Sequence, residues 1–439
     1  MEDKKCCLKH YIINDMKIAV KKRIKRNKRK YHKIILIGTL LFLFYILILE
    51  KNFFEKIVKN FSKILFMFKN RKILESEKAL QRNNILFTPE LKKKMFLNGK
   101  KYIDKCLSEN NVIKEYKGVV KPIISTIIPV YNCEKTINAA ISSIQNQNFT
   151  DFEIILINDF SKDNTSEILE ELKDKDLRIR IVKNKKNMGT LYSRSIGTLI
   201  SKGEYIFPLD NDDMFFSEDI FDFILKIARE SYLDIVGFRG VQIGNIKDNM
   251  NGIRDLYYYQ RPDNLIIRQP KLSTWFITIN GKFGFHDVTL WCKCIKTKIY
   301  KETIISLGLE RYSKFMSWAE DTSVNVILFN IAESYTFVNK YGIVHLENIS
   351  TASYTQPIRI KFFGLLFLLD VLFDFSKKET KNYAVLFAYQ IKRLYGINKF
   401  VLDDNVIYYK SIIQKIFNNQ YITNENKDKI KKDFNFFFT

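Results

Sequence analysis

From residue 122 onward, short uninterrupted apolar runs alternate with stretches whose apolar residues recur every three or four positions. Ile123–Val130 is an apolar run of strand length, and within 134–146 the residues Ile137, Ala140, Ile141 and Ile144 share one helical face. The alternation repeats through a strand at 152–157, a polar turn over 158–163, a helix reaching Leu172, a strand at 178–182, a helix from Thr190 and a strand at 205–209. This texture predicts an α/β domain over 122–350, a mainly parallel sheet flanked by helices. Two later segments extend it: Val324, Ile327 and Leu328 lie on one face of a helix opened by Glu320 and Asp321, and 341–344 reads as a strand followed by His345.

Beyond residue 350 the pattern is helical. The run 362–375, interrupted by Asp370 and Asp374, is too short and too charged to cross a membrane and reads as a packed helix of a C-terminal region, 351–439. At the other end, residues 34–49 form a wholly apolar stretch of 16, against the ~20 residues that cross a ~30 Å hydrocarbon core. Borrowing Tyr31 and His32 makes a short span. Between it and the domain, Phe54, Ile57, Val58, Phe61, Ile64, Leu65 and Phe68 recur at helical spacing among lysines, so 50–121 reads as an amphipathic stem.

Charge sharpens the picture of the N-terminus. Residues 1–33 hold 13 Lys and Arg against three acidic residues, which is +10 of the chain's net +24. A basic run that abuts an apolar one points to membrane insertion rather than nucleic-acid binding. It predicts a cytoplasmic tail at 1–33, an anchor at 34–49 and a body across the membrane. Lys51, Lys56, Lys59 and Lys63 weaken that asymmetry without reversing it. The long charged leader, with no small-residue cleavage pattern after Leu49, favours an uncleaved single-pass anchor. Such a protein would reside in the endoplasmic reticulum or Golgi of a eukaryote, or the plasma membrane of a bacterium. The six cysteines (6, 7, 106, 133, 292, 294) have neither metal-ligand spacing nor disulfide density, and the sequons at Asn60, Asn148, Asn164 and Asn348 are neutral.

Ligands of open α/β sheets gather beyond the carboxyl ends of the strands. Three such ends are polar here: 129–132 (Pro-Val-Tyr-Asn), Asn158-Asp159, and 210–213 (Asp-Asn-Asp-Asp). Three carboxylates at one strand end repel each other, and a divalent cation relieves the repulsion. Oxygen ligands suit Mg²⁺ or Mn²⁺, which also bridge phosphates. An Asp-x-Asp alone is common in solvated turns, so its neighbours decide.

The segments STIIPVYN, ILINDFSKDNT, KNMGTLYSRSIG, GEYIFPLDNDD and WAEDTS occur in an order that resembles the family 2 glycosyltransferases, whose nucleotide-sugar domain has the GT-A fold. The resemblance spans about 123–350. It implies that Pro129, Tyr131 and Asp159 hold the nucleoside, the aspartate facing a uracil edge, and that Asn187, Gly189 and Arg194 lie near the donor. It further implies that Asp210 contacts the donor, that Asp210, Asp212 and Asp213 carry Mn²⁺ or Mg²⁺, and that His345 stands near the metal or diphosphate. The Glu320-Asp321 pair matches the family's catalytic pair, with Asp321 as general base. The stretch from His286-Asp287 to Trp291-Cys292-Lys293 resembles the family's acceptor side, where an aromatic can stack on a sugar; Trp291 itself is assigned no role there, a buried aromatic being the commoner outcome. For Arg194 a surface salt bridge, for Asp321 a helix cap and for His345 a hydrogen-bonded strand end are the bland alternatives. Departures from the family are Phe160 where a glycine is usual, Asn158 for an acidic residue, and Ser193 and Ser195 around the arginine.

The function implied is an inverting hexosyl or N-acetylhexosaminyl transfer, in one displacement, from a UDP-linked donor to a hydroxyl of a glycan, lipid or protein acceptor. An inactive, membrane-tethered sugar- or nucleotide-binding protein is opposed by the retention of both acid clusters. A nucleotidyltransferase of related fold is opposed by PVYNCEKT, which lacks the Gly-rich opening loop of that class. No GxxxxGKS/T motif and no Gly-rich dinucleotide fingerprint is present.

Overall fold

The computed structural model describes residues 121–243, 253–255, 265–269, 271–276, 278–279, 282–283, 288–308, 318–346 and 424–433, with isolated positions elsewhere after 309. The expected tail, anchor and stem lie outside the described residues, as do His286, Asp287, Asn60, Asn348 and most of 351–423.

The first half follows the predicted alternation. β1 (Ile124–Val130), α1 (Ile137–Gln145), β2 (Phe152–Asn158), α2 (Thr165–Lys175), β3 (Ile179–Lys183), α3 (Thr190–Ile200) and β4 (Tyr205–Pro208) succeed one another. β1 and β2 are buried at every position, as strands covered on both faces must be. There follow β5 (Met214–Phe215), α4 (Ile220–Glu230), β6 (Ile235–Ile243), β7 (Ile253–Asp255), β8 (Ile267–Arg268), α5 (Lys271–Phe276), β9 (Thr278–Ile279), β10 (Lys282–Phe283), β11 (Lys293–Lys296), α6 (Thr297–Leu307), α7 (Glu320–Ile331), β12 (Ser334–Leu346) and α8 (Asn424–Asp433).

Ten strands join one sheet in the order β3-β2-β1-β4-β11-β6-β12-β5, with β7 beside β6 and β8 beside β12; β9 and β10 form a separate antiparallel pair. β3, β2, β1 and β4 are mutually parallel, and β6 and β12 are parallel to each other. β11 runs antiparallel between β4 and β6. Two antiparallel pairings restore the direction, so β1, β2, β4, β6 and β12 all end at one edge. Side chains of β1 alternate between two cores. Ile124, Ile128 and Val130 pack with α1, α2 and α4, while Ile127 packs with α3, α6 and α7.

The second core also takes in Phe367, Leu368, Val371 and Leu372, so the described part of the C-terminal region is packed against the domain, as its sequence pattern predicts. The expected single-pass membrane localisation does not stand. Among the described residues no helix is long and apolar enough to cross a membrane.

Candidate active site

The loops leaving β1 and β2 are tied together at the carboxyl edge. Val130 pairs with Asn158, and the Asp159 amide donates to the Val130 carbonyl at 2.8 Å. The Asn132 amide donates to Ser161 Oγ at 3.1 Å, and the Lys162 amide to Asn132 Oδ1 at 2.8 Å. Both loops turn through left-handed backbone, at Asn132 (φ 47) and Phe160 (φ 68). The asparagine is at ease there and the phenylalanine is not. Tyr131 and Phe160 emerge 43% and 42% exposed. From the β4 loop, Asn211 Nδ2 donates to the Pro129 carbonyl at 3.0 Å, joining the acidic loop to the first.

Asp159 is buried, and its oxygens hold the loop after β3: Oδ1 accepts from Asn184 Nδ2 at 2.7 Å and the Met188 amide at 2.8 Å, and Oδ2 from the Gly189 amide at 2.7 Å. Asn187 Oδ1 accepts from the same Gly189 amide at 3.1 Å. Asp159 is thus the organiser of the 184–189 loop. Gly189 has φ 88, and a Cβ there would lie 2.5 Å from the Met316 carbonyl oxygen. The loop therefore rests backbone to backbone on the segment leading to Glu320.

Arg194 has a buried guanidinium. It is neither a surface ion pair nor a free fork. Its side chain is 2% exposed, with Nη1 donating to Asp321 Oδ1 at 2.7 Å and Nη2 to Asp210 Oδ1 at 2.6 Å. α3 can bring it there because its inner face is small: Ser193, Ser195 and Gly197 are buried, and a Cβ on Gly197 would strike Ile127 at 2.4 Å. Burying a guanidinium is costly unless it is paired, and here two carboxylates share it. Asp210 and Asp321 keep 32% and 23% of their side chains exposed. They therefore face the open edge from either side of the arginine. Asp321 Oδ2 also accepts from the Leu290 amide at 3.1 Å.

Asp321 stands in the first turn of α7, whose preceding residue, Ala319, is left-handed at φ 60. Helix starts favour ionised carboxylates. Burial nevertheless raises the Asp321 carboxyl; Arg194 opposes this and Asp210 reinforces it. Glu320 is pushed up to about 7, by burial first and then by the charge of Asp321, against Arg194. Lys293, fully buried with Nζ donating to the Thr289 carbonyl, is a further cation whose charge favours ionised Asp321.

Asp213 and His345 meet because β5 pairs antiparallel with the end of β12, Met214 opposite Val344. Asp213 Oδ1 lies 2.8 Å from His345 Nδ1, and its buried Oδ2 has no hydrogen-bond partner among the described residues. Burial lowers the His345 pKa, but the Asp213 charge and hydrogen bond, with Asp212 and Asp210, win and raise it to about 9. Trp291 stacks on this imidazole, with centroids 5.6 Å apart and planes at 12°, rather than standing free for a sugar. Asp212 is raised to about 6 by burial and then by Asp210.

The acidic loop does not present its residues as one ligand set. Asp210 is bonded to Arg194 and Asp213 to His345, and among the described residues no three His, Cys, Asp or Glu side chains are grouped to hold an ion. Asp212, raised by burial and then by the charge of Asp210, remains, with the raised imidazole of His345 as a proton donor beside it. One carboxylate completed by phosphate oxygens is a usual way to hold Mg²⁺, so Asp212 fits a cation delivered with a nucleotide.

A family model described as glycosyl transferase family 2 matches residues 125–292. An uncharacterized glycosyltransferase of Haemophilus influenzae is 40% identical over 324 residues, which are 67% of this chain and 98% of that protein. The uncharacterized glycosyltransferase EpsJ of Bacillus subtilis is 27% identical over 52% of this chain, and the chain spans 62% of its length. A Campylobacter jejuni GalNAc(5)-diNAcBac-PP-undecaprenol beta-1,3-glucosyltransferase is 26% identical over 45% of this chain and 72% of its own. Among solved structures, S. aureus TarS in complex with UDP is similar over 71% of this chain and 86% of that one, with 14% identity and a TM-score of 0.48. These curated relatives are bacterial, which also removes the expected Golgi or endoplasmic reticulum placement. With a relative matched along nearly its whole length and each acidic cluster at the sheet's carboxyl edge, the chain belongs to the family 2 glycosyltransferases of GT-A type.

Proposed function

We propose that this glycosyltransferase moves a hexosyl or N-acetylhexosaminyl group from a UDP-linked donor to an acceptor hydroxyl with inversion, using Asp321 as general base. The observation that carries this reading is the Arg194 bridge, which holds Asp321 and the acidic Asp210 loop on either side of one guanidinium. Base and leaving-group pocket are thereby fixed relative to each other before any ligand arrives.

In the step proposed, the acceptor oxygen forms a bond to the anomeric carbon as the bond from that carbon to the diphosphate oxygen breaks. The hydroxyl proton passes to the Asp321 carboxylate. Burial raises the basicity of Asp321 while Arg194 and Lys293 favour its ionised form, the combination a general base requires. Tyr131 and Pro129 line the nucleoside side of the edge, and Asp159 with Asn187 holds the loop that ends at Gly189. Asp212, with His345 beside it, is the group that would hold Mn²⁺ or Mg²⁺; such an ion, when bound, supplies neutralisation of the charge developing on the leaving diphosphate.

The Campylobacter jejuni relative acts on a polyprenyl-diphosphate glycan. A lipid-linked glycan is therefore the first acceptor class to assay here.

The test is calorimetric titration of the full chain with a panel of nucleotide sugars, with and without Mn²⁺. One UDP-sugar should bind, more tightly with the ion, and Asp212→Asn should abolish the ion's effect. Failure of every donor to bind would end this reading.

A further inference from the structure

Phe160 departs from the glycine usual in its family, and its surroundings give that departure a purpose. Its backbone is left-handed at φ 68, where a bulky side chain is strained. Its ring is 42% exposed, so the fold recovers little apolar burial in return. The ammonium of Lys162 lies 3.4 Å from the ring centroid and covers one face. The neighbouring loop carries a second exposed aromatic, Tyr131, and the two loops are stitched by the Asp159, Asn132 and Lys162 amide hydrogen bonds. Two aromatic rings thus stand within two residues of the Val130–Asn158 pairing, at the edge proposed above for the nucleoside.

A strained, water-exposed ring at a ligand edge is better explained by what it touches when the site fills than by the fold. We propose that Phe160 is a binding contact for the donor's nucleobase, offering the ring face opposite Lys162 as a stacking platform beside Tyr131. Aromatic stacking of this kind holds the planar face of a base whatever its identity, and Lys162 fixes the ring from its other side. The inference rests on the nucleotide-sugar reading of the same edge.

UDP titration of the full chain in Mg²⁺ tests it, using Phe160→Gly and Phe160→Tyr. The glycine variant should bind UDP about tenfold more weakly, while its Tm stays level or rises because the strain is gone. The tyrosine variant should bind within about twofold of wild type, on the same stacking argument. UDP binding by Phe160→Gly equal to wild type would overturn the proposal. So would a fall in Tm and affinity together that Phe160→Tyr fails to rescue, since that marks a structural residue. No UDP binding by the wild-type chain would instead remove the donor reading beneath it.

Discussion

Arg194 Nη1 on α3 lies 2.7 Å from Asp321 Oδ1 on α7, and the same guanidinium reaches Asp210 Oδ1 at 2.6 Å. A planar fork can serve two carboxylates on different elements; a lysine ammonium is a single point and cannot span both. Arg194→Lys is expected to lower kcat by about 10²-fold through misplacement of the base. Arg194→Met, which leaves two carboxylates facing a buried void, should cost about 3 kcal/mol of stability. Steady-state kinetics and urea midpoints measure the two effects, and a lysine variant of full activity would refute the bridge's role.

Replacing Asp321 by asparagine keeps the shape of the side chain and removes its proton affinity. The expected result is a fall in kcat of about 10²–10⁴-fold, with donor binding unchanged by calorimetry. A variant that loses donor binding in proportion would assign Asp321 to the ground state instead.

Glu320 links stability to pH. Its carboxyl is raised from 4.5 to about 7 in the folded state, so folding favours the protonated form. Its contribution is fully present below pH 4.5 and is lost as pH rises through about 7. Glu320→Gln should therefore raise Tm at pH 8 relative to wild type and change it little at pH 4.5. Thermal melts across that range read the difference directly, and parallel curves for the two proteins would contradict it.

Gly189 is the contact between the loop that Asp159 organises and the segment that leads to the base. With φ 88 and a Cβ site 2.5 Å from the Met316 carbonyl oxygen, Gly189→Ala has to move backbone. A loss of about 1–3 kcal/mol is expected. Donor affinity and kcat should both decline, since the displaced atoms belong to both neighbourhoods. An alanine variant with wild-type melting and kinetics would show the contact to be slack.

The βα half of the molecule was legible in the chain because its signals are local. Apolar runs of strand length and three-to-four spacing lead to β1 through β4 and to α1 through α3 within a residue or three at each boundary. The sites after those strands follow from the parallel direction alone. What escaped the sequence depends on pairing between distant segments. Nothing in the spacing of 293–296 says that β11 inserts between β4 and β6, and α4, α6 and β6 were not picked out. That Arg194, expected near the donor, binds Asp210 and Asp321 is likewise invisible in the chain, because only the fold brings these partners to it. The stacking of Trp291 on His345 depends on the fold in the same way. Asn184, which helps fix Asp159, sits just past β3, a polar strand end whose partner the spacing does not disclose.

The late arrival of β11 also sets an order of events during synthesis. β4 and β6 are complete once residue 243 has left the ribosome, yet both need the strand at 293–296 to fill the gap between them. Until then the nascent chain carries two hydrophobic strands with unpaired backbone edges, the feature most prone to pairing with another chain. A ribosome that pauses or terminates between those points leaves a donor-side half that looks folded and has no way to close. Chaperone demand and aggregation during expression should therefore rise in that window of about fifty residues, between Ile243 and Lys293, and persist until β12 covers the other edge of β6.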